Sequence, residues 1–253
     1  MQAAAIVKFF PKFNRYYEPF VGGGSVLFQA NPKVAICGDI CEPLIALWKT
    51  IRDSPDVLIK QYARDWKRLQ IEGYLVYYEI RNRFNKSPNP FDLFFLSRTC
   101  VNGLIRFNSK GEFNNSLHHT RKGIHPDKIK KIVMKWSQRI KNVVFITGDY
   151  RKTVKGASSS DFIYLDPPYF NTRGRYYGRI NYDEFIEFLE LLNEKNIKFA
   201  LSYDGICGNR EYVIDLPKHI YKRHFFLESG NSPFKKVMGK KKEMVRESLY
   251  LNW

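Results

Sequence analysis

The sequence predicts an α/β fold, an open sheet assembled from both ends of the chain around a helical insertion. Three observations carry that expectation. Short β-branched and aromatic runs bounded by turn residues recur near both ends, amphipathic helices fall between them, and the pattern turns to polar and aromatic helices between about 55 and 140. An interval of that length is too long for a loop.

The elements follow in order. "RYYEPF" (15–20) and "KVAICGDI" (33–40) read as the first two strands, with a glycine turn between them and the helix "CEPLIALWKTIRD" (41–53) after. The insertion is filled by "SPDVLIKQYARDWKRLQ", "YLVYYEIRNRF" and "PDKIKKIVMKWSQRIK", broken by a polar stretch at 107–123. "NVVFITGD" (142–149), "DFIYLD" (161–166) and "IKFALSY" (197–203) return to strand, with the apolar continuity of a buried sheet. In "NYDEFIEFLELLNEKN" (181–196), Phe185, Phe188, Leu189 and Leu192 recur at i, i+3, i+4, i+7, the face of a half-buried helix. "HIYKRHFFL" (219–227) and "VRESLYLNW" (245–253) read as a closing antiparallel hairpin with "SGNS" in its loop. One domain is therefore expected from 1–54 and 140–253, and a helical second one from 55–139; there are no internal repeats.

With 42 Lys+Arg against 25 Asp+Glu, the 253-residue chain carries a formal charge of +17, a field that attracts polyanions. Nucleic acid is the leading partner. Aromatic residues stand beside basic ones in "RGRYYGR" (173–179) and "KRHFF" (222–226), a mixture suited to bases and phosphates, whereas "KKVMGKKKE" (235–243) reads equally as a solvated loop. Cys37, Cys41, Cys100 and Cys207 have no paired CxxC spacing and no histidine pattern, so no metal site is expected and the thiols read as reduced. "HH" at 118 and 119 reads as loop polarity. No run approaches about 20 apolar residues and no signal-peptide pattern opens the chain, so the expectation is a soluble protein without a membrane partner.

Two motifs carry chemistry. "YYEPFVGGGSVLF" (16–28) places three glycines after a strand and before a helix, where backbone can approach a ligand closely. The turn lacks both GxGxxG and GK[ST], which favours a nucleotide-like ligand with no essential pyrophosphate. Asp39, ending the next strand, is placed to accept from ribose hydroxyls, and equally to cap the helix that follows; Glu18 reads as a cofactor contact or a turn acid. In "DFIYLDPPYFNT" (161–172), Asp166 and the carbonyl of Pro167 are two acceptors held apart rigidly by Pro167 and Pro168, and Tyr169 offers a stacking face. That set fits an exocyclic amino group on a planar heterocycle, whose nitrogen lone pair is made available when both hydrogens are held. A strand-ending Asp-Pro turn is the plain alternative.

On these residues the chain resembles the S-adenosylmethionine-dependent amino methyltransferases, and within them the Dam-type DNA adenine N6-methyltransferases. "EPFVGGGSVLF" matches the cofactor motif, "DPPY" the catalytic motif, and "VNGLIRFNSKGEFN" (101–114) the DNA-reading hairpin of that subgroup. Their order is that of the alpha group, in which the insertion is the target-recognition domain. The resemblance implies a Rossmann-like sheet, S-adenosylmethionine as methyl donor with S-adenosylhomocysteine as product, and no metal. It implies cofactor contacts at Glu18, Pro19, Phe20, Gly22, Gly23, Gly24, Asp39, Ile40, Asp149, Tyr150 and Asp166, and a catalytic set of Asp166, Pro167, Pro168 and Tyr169. The partner it implies is double-stranded DNA, from which the target adenine is flipped, because a stacked N6 cannot reach a cofactor.

Asn102, Arg106, Asn108, Lys110 and Arg121 are the expected DNA-binding residues, with Arg106 a guanine reader and Lys110 a phosphate contact. Two departures stand out. "NNSLHHTRKG" replaces the proline and short basic run that follow the hairpin in many Dam-type members, so a GATC target does not carry over. The GGK-like segment that usually precedes the glycine motif has no counterpart, which implies either an upstream start or an incomplete cofactor pocket; Lys8 reads as a solvated helix residue instead. Cytosine N4 fits the same acceptor pair, and RNA methylation or a DNA-binding module that has lost catalysis are the further alternatives. The implied setting is the cytoplasm of a bacterial, archaeal or phage-infected cell. There the enzyme serves a restriction system beside a cognate endonuclease, or a phage or solitary role.

Overall fold

The computed structural model describes residues 2–118, 120, 122–168, 180–207, 210–211, 216–231 and 244–253, with only the backbone described at 204–207, 210, 211, 229–231, 244 and 245. The expected Tyr169, Arg121, His119 and the basic runs at 173–179 and 235–243 lie outside the described residues. The described residues form two compact units, 2–38 with 149–253, and Asp39–Gly148.

The sheet grows from a short central strand, β1 (Tyr16–Glu18), parallel to β2 (Ala35–Asp39) on one side and to β4 (Phe162–Leu165) on the other. Beyond β4 run β5 (Lys198–Cys207), parallel to it, and then β8 (Met244–Leu251) and β7 (Arg223–Asn231), both antiparallel to their neighbours. β3 (Val143–Thr147) completes the order β3-β2-β1-β4-β5-β8-β7, with the two-residue β6 (Arg210–Glu211) paired to β5. The chain winds one way from β1 to β2 and β3, then crosses back to β4. The reversal falls at the carboxyl ends of β1 and β4, the place where open α/β sheets bind ligands.

Burial explains the composition of these strands. Every residue of β1 and β4 is buried, so both read as unbroken apolar or aromatic runs. One face packs Tyr17, Ile163, Leu165, Phe199 and Leu201 against α9 (Tyr182–Glu194), whose Phe185, Phe188, Leu189 and Leu192 are buried on the expected face. Asn181 starts α9 by accepting from the Asp183 and Glu184 amides. The other face carries Phe10, Phe13, Tyr16 and Phe162 in ring contact, together with Trp253. α1 (Gln2–Val7) packs on α2 (Ser25–Ala30) and on β7. Lys8 falls in the turn after α1, outside the helix expected to hold it.

In the second unit, α3 (Glu42–Asp53), α4 (Pro55–Glu72), α5 (Leu75–Lys86), α6 (Pro90–Thr99) and α7 (Pro126–Arg139) pack together. Because α3 rests on α6 and α7, this compact unit starts before the expected 55–139. Leu58, Tyr62, Asp65 and Leu69 form the buried stripe of α4. α6 has no sequence-level counterpart: Leu93 to Ser97 are all buried, and a helix covered all round has no amphipathic period to read. Its buried Asp92 is held by the Arg83 guanidinium at 2.9 Å.

The stretch at 107–123, expected to be polar, contains three apolar anchors. Phe107 and Phe113 pair across an antiparallel bridge and are buried against Phe84, and Leu117 pairs with Cys100. At the far edge, β7 continues through Asn231, so "SGN" lies in the strand instead of the expected loop.

Candidate active site

The glycine turn is built by backbone bonds. Val21 N–H donates to the Gly38 carbonyl at 2.9 Å and Gly24 N–H to the Val21 carbonyl at 2.7 Å. Gly22 (φ 45°) and Gly24 (φ 67°) occupy the left-handed region and make the turn possible. Gly23 differs from both. Its φ is ordinary, it is exposed, and a Cβ built on it meets nothing within 4 Å. The fold does not require a glycine there, and the space above the turn is open. Pro19 is buried and Phe20 half-buried, its ring 5.4 Å from that of Tyr150.

Asp39 ends β2 and accepts the Cys41 amide at 2.9 Å, while Cys41, not Asp39, is the N-cap of α3. Ile40 is 48% exposed. Asp149 caps the four-residue α8 (Tyr150–Thr153) through the Arg151 amide, and its carboxylate also pairs with the Arg151 guanidinium at 2.9 Å. The guanidinium reaches Glu184 as well. Tyr150 is buried among Phe20, Phe185 and Phe188, and burial pushes its phenol up to about 12. Its hydroxyl has no protein partner among the described residues, a polar atom left for something else to satisfy.

Glu18 is not a turn acid. It closes β1 at 2% exposure, accepting from the Tyr16 hydroxyl at 2.8 Å and from the Leu27 backbone of α2. Burial pushes its carboxyl up to about 8, against the pull of the Tyr16 hydrogen bond, and the charge of Asp166 adds to the rise. Asp166 follows the last residue of β4, with Pro167 buried and Pro168 half-buried behind it. It is exposed on its outer side and crowded on its inner side. That crowding and the charge of Glu247 push its carboxyl up to about 7, while water on the exposed side opposes the rise. Glu247 of β8 was invisible to sequence reasoning, because only the pairing of β4, β5 and β8 brings 166 and 247 to the same end of the sheet.

Linkage gives Glu18 a testable sign. The folded chain keeps its proton to about pH 8, whereas the unfolded chain loses it near 4.5. The stability contributed by the neutral acid is therefore full below the lower value and lost as pH rises through the upper one. Stability of the parent is expected to fall by a few kcal/mol between about pH 5 and about pH 8 from this group, and Glu18→Gln to flatten that decline. Urea midpoints across the window measure it; an equally steep decline in the variant contradicts the assignment.

In the insertion, Asn102 is exposed at φ 57°, and Arg106 and Lys110 are exposed on the hairpin. The Asn108 side chain holds the turn itself, its oxygen accepting the Lys110 and Glu112 amides at 2.9 Å and its nitrogen donating to the Glu112 carboxylate. Two asparagines that the sequence did not single out brace the hairpin. Asn85 exchanges hydrogen bonds with the Phe113 backbone, and Asn115 donates to the Val101 and Leu104 carbonyls. Among the described residues no group of three His, Cys, Asp or Glu side chains is arranged to hold a metal ion.

A backbone cradle and a rigid acid, set at the two strand ends where an α/β sheet reverses direction, are suited to bringing an amino group against a methyl donor. The fold and site thus place the chain among the α/β proteins that take a ligand at the carboxyl ends of their strands. The chain belongs to the D12 class N6 adenine-specific DNA methyltransferases, whose family model matches residues 3–234. It is 31% identical over 214 residues to the type II methyltransferase M.MjaIII of Methanocaldococcus jannaschii, covering 74% of this chain and 73% of that protein. It is 29% identical over 168 residues to the type II methyltransferase M1.LlaDCHI of Lactococcus lactis subsp. cremoris, covering 62% and 57%. To the DNA adenine methylase of Escherichia coli K12 it is 28% identical over 245 residues, covering 92% and 87%. No helix among the described residues is long and apolar enough to cross a membrane.

Proposed function

We propose that this chain methylates N6 of an adenine flipped out of double-stranded DNA, at a specific sequence and with S-adenosylmethionine as donor. The observation that carries the reading is the placement of Asp166 and the glycine turn at the carboxyl ends of neighbouring parallel strands. The open space over Gly23 and the unpartnered Tyr150 hydroxyl fit a nucleoside-bearing cofactor, held by Glu18, Pro19, Phe20 and Gly22 to Gly24, with Asp39, Ile40, Asp149 and Tyr150 completing the contacts. Asp149 contributes through the cap it provides, since its carboxylate is engaged by Arg151.

When bound, the cofactor supplies an electrophilic methyl on a sulfonium. The chain's own residues do the rest by placement. Asp166 accepts one hydrogen of the target amino group and the Pro167 carbonyl the other, with Pro168 stiffening the pair and Tyr169 stacking on the base. Holding both hydrogens frees the nitrogen lone pair and aims it, so the rate gain comes from orientation and prearranged charge. Neither a covalent enzyme intermediate nor a metal is called for.

The insertion supplies target recognition, as the net charge of +17 supplies general attraction to DNA. Arg106, exposed beside the hairpin turn, is the reader; Asn102 and Lys110 meet DNA nearby, Arg121 is a further DNA contact, and Asn108 acts by shaping the turn. Arg106→Ala is expected to cost about 1–3 kcal/mol of discrimination at one base pair. Measured affinities for a panel of single-base variants of the site check this, and unchanged discrimination would move Arg106 to a phosphate contact. The activity serves either the modification half of a restriction system, with a separate endonuclease, or a solitary or phage role, in the cytoplasm of such a cell.

The reading is tested by incubating the chain with tritiated S-adenosylmethionine and unmethylated phage DNA, then separating the nucleosides. Label in N6-methyladenine is expected. Label in N4-methylcytosine would overturn the base, and DNA binding with no label at all would leave a binding module.

A further inference from the structure

Three carboxylates lie on the carboxyl-end side of the central strands. Glu18 ends β1, Asp166 follows β4, and Glu247 stands on β8 opposite Gly205, where β5 bulges. Glu247 is half-buried, and its carboxylate accepts a hydrogen bond from the side-chain amide of Gln2 in α1. A neutral amide fixes the carboxylate without cancelling its charge. Among the described residues no arginine or lysine is paired with any of the three, in a chain whose net charge is +17.

The groups that act on this corner can be named. From β1 comes Glu18, with the Tyr16 hydroxyl on it and Cys37 of β2 behind. From β4 comes Tyr164, whose hydroxyl donates to Ser202 of β5 at 2.8 Å, and from β8 comes Glu247. Glu18, held to about 8, is protonated at neutral pH, and the phenol and thiol are neutral too. The charge that reaches Asp166 is therefore that of Glu247.

We propose that Glu247 is a positioning residue of the methyl transfer: braced by Gln2, it acts through Asp166 and makes that carboxylate the acceptor of the proton that the target nitrogen gives up. This rests on the role of Asp166 proposed above. As the nitrogen lone pair forms its bond to the methyl carbon, the carbon–sulfur bond breaks and its electron pair stays on sulfur, leaving the nitrogen cationic. One N–H bond then breaks, its electron pair remaining on nitrogen, and the proton passes to an Asp166 oxygen and on to water. A nearby like charge strengthens Asp166 as a base and brings its proton affinity toward the operating pH.

The test measures single-turnover methyl transfer to DNA from about pH 5 to about pH 9 for the parent, Glu247→Gln and Glu247→Asp. In Glu247→Gln the acid limb is expected to move down by about one pH unit and the plateau to fall about threefold, with Glu247→Asp restoring both. A lower rate with an unmoved limb would make Glu247 structural and overturn the proposal. Gln2→Ala, which leaves the strand intact, is expected to move the limb the same way by less, and carries the comparison if Glu247→Gln does not fold. A carbon-13 NMR titration of the Asp166 carboxyl needs no turnover: Glu247→Gln is expected to lower its midpoint, and no displacement refutes the proposal. If the parent labels no adenine, the proposed function fails, while the NMR titration still decides whether Glu247 acts on Asp166.

Discussion

Asp166→Ala is expected to lower methyl transfer by about a thousandfold or more while S-adenosylmethionine and DNA affinities stay within a few fold. The loss is large because, in the role proposed for it, the carboxylate holds the target nitrogen and receives its proton, two roles that matter in the transition state and little in the bound complex. The fold is not at stake. Asp166 lies beyond β4, exposed on one side, and its removal relieves repulsion with Glu247 instead of breaking an ion pair. Asp166→Asn separates the two roles, since it keeps an acceptor oxygen but cannot take a proton, and its turnover is expected between the parent and Ala. Radiolabel turnover, calorimetry with the cofactor and a thermal melt decide the matter together. Near-normal turnover in Asp166→Ala, or a melt lowered enough to account for the loss, would sink the assignment.

The second large effect comes from two glycines, one in the triple-glycine turn and one in β2, that differ in the space around them. A Cβ on Gly38 would lie 1.9 Å from the Thr153 hydroxyl and 3.0 Å from its Cβ and Cγ2, and Thr153 is buried in α8. Gly38→Ala is expected to destabilise the fold by about 1–3 kcal/mol through overpacking. It also disturbs the cofactor turn, because the Gly38 carbonyl holds the Val21 amide. Adding Thr153→Ala is expected to recover most of the stability: it opens the space, and the hydroxyl it removes is buried without a hydrogen-bond partner among the described residues. Gly23→Ala inverts the pattern. With nothing within 4 Å of its Cβ, stability is expected to change by no more than about 0.5 kcal/mol, while cofactor affinity falls tenfold or more because the Cβ fills the approach. Urea denaturation and calorimetry on the two variants form the check. A Gly23→Ala chain that binds the cofactor normally would remove the cradle from the site.

The strands and most helices were legible because each repeats a local rule. Buried runs such as "DFIYLD" and the i, i+3, i+4, i+7 face of α9 announce themselves within one turn or one strand. α6 was silent for the opposite reason: burial on every side erases the period. Phe107, Phe113 and Leu117 were hidden in a polar stretch, since the residues they pack on or pair with, Phe84 of α5 and Cys100 after α6, lie far from them in the chain and leave no local period.

The sequence by itself determined the kind of protein this is: an α/β chain whose glycine turn and Asp-Pro-Pro stand at strand ends, both motifs being contiguous and therefore readable from covalent neighbours alone. Only the tertiary structure decided which atoms those motifs face. It made Glu18 a buried, proton-holding strand end, left open space at Gly23 where Gly38 is closed in by Thr153, and brought Glu247 to Asp166 across β5. Burial, proton affinity and steric room are properties of what surrounds a residue, and the surroundings are supplied by strands distant in the chain.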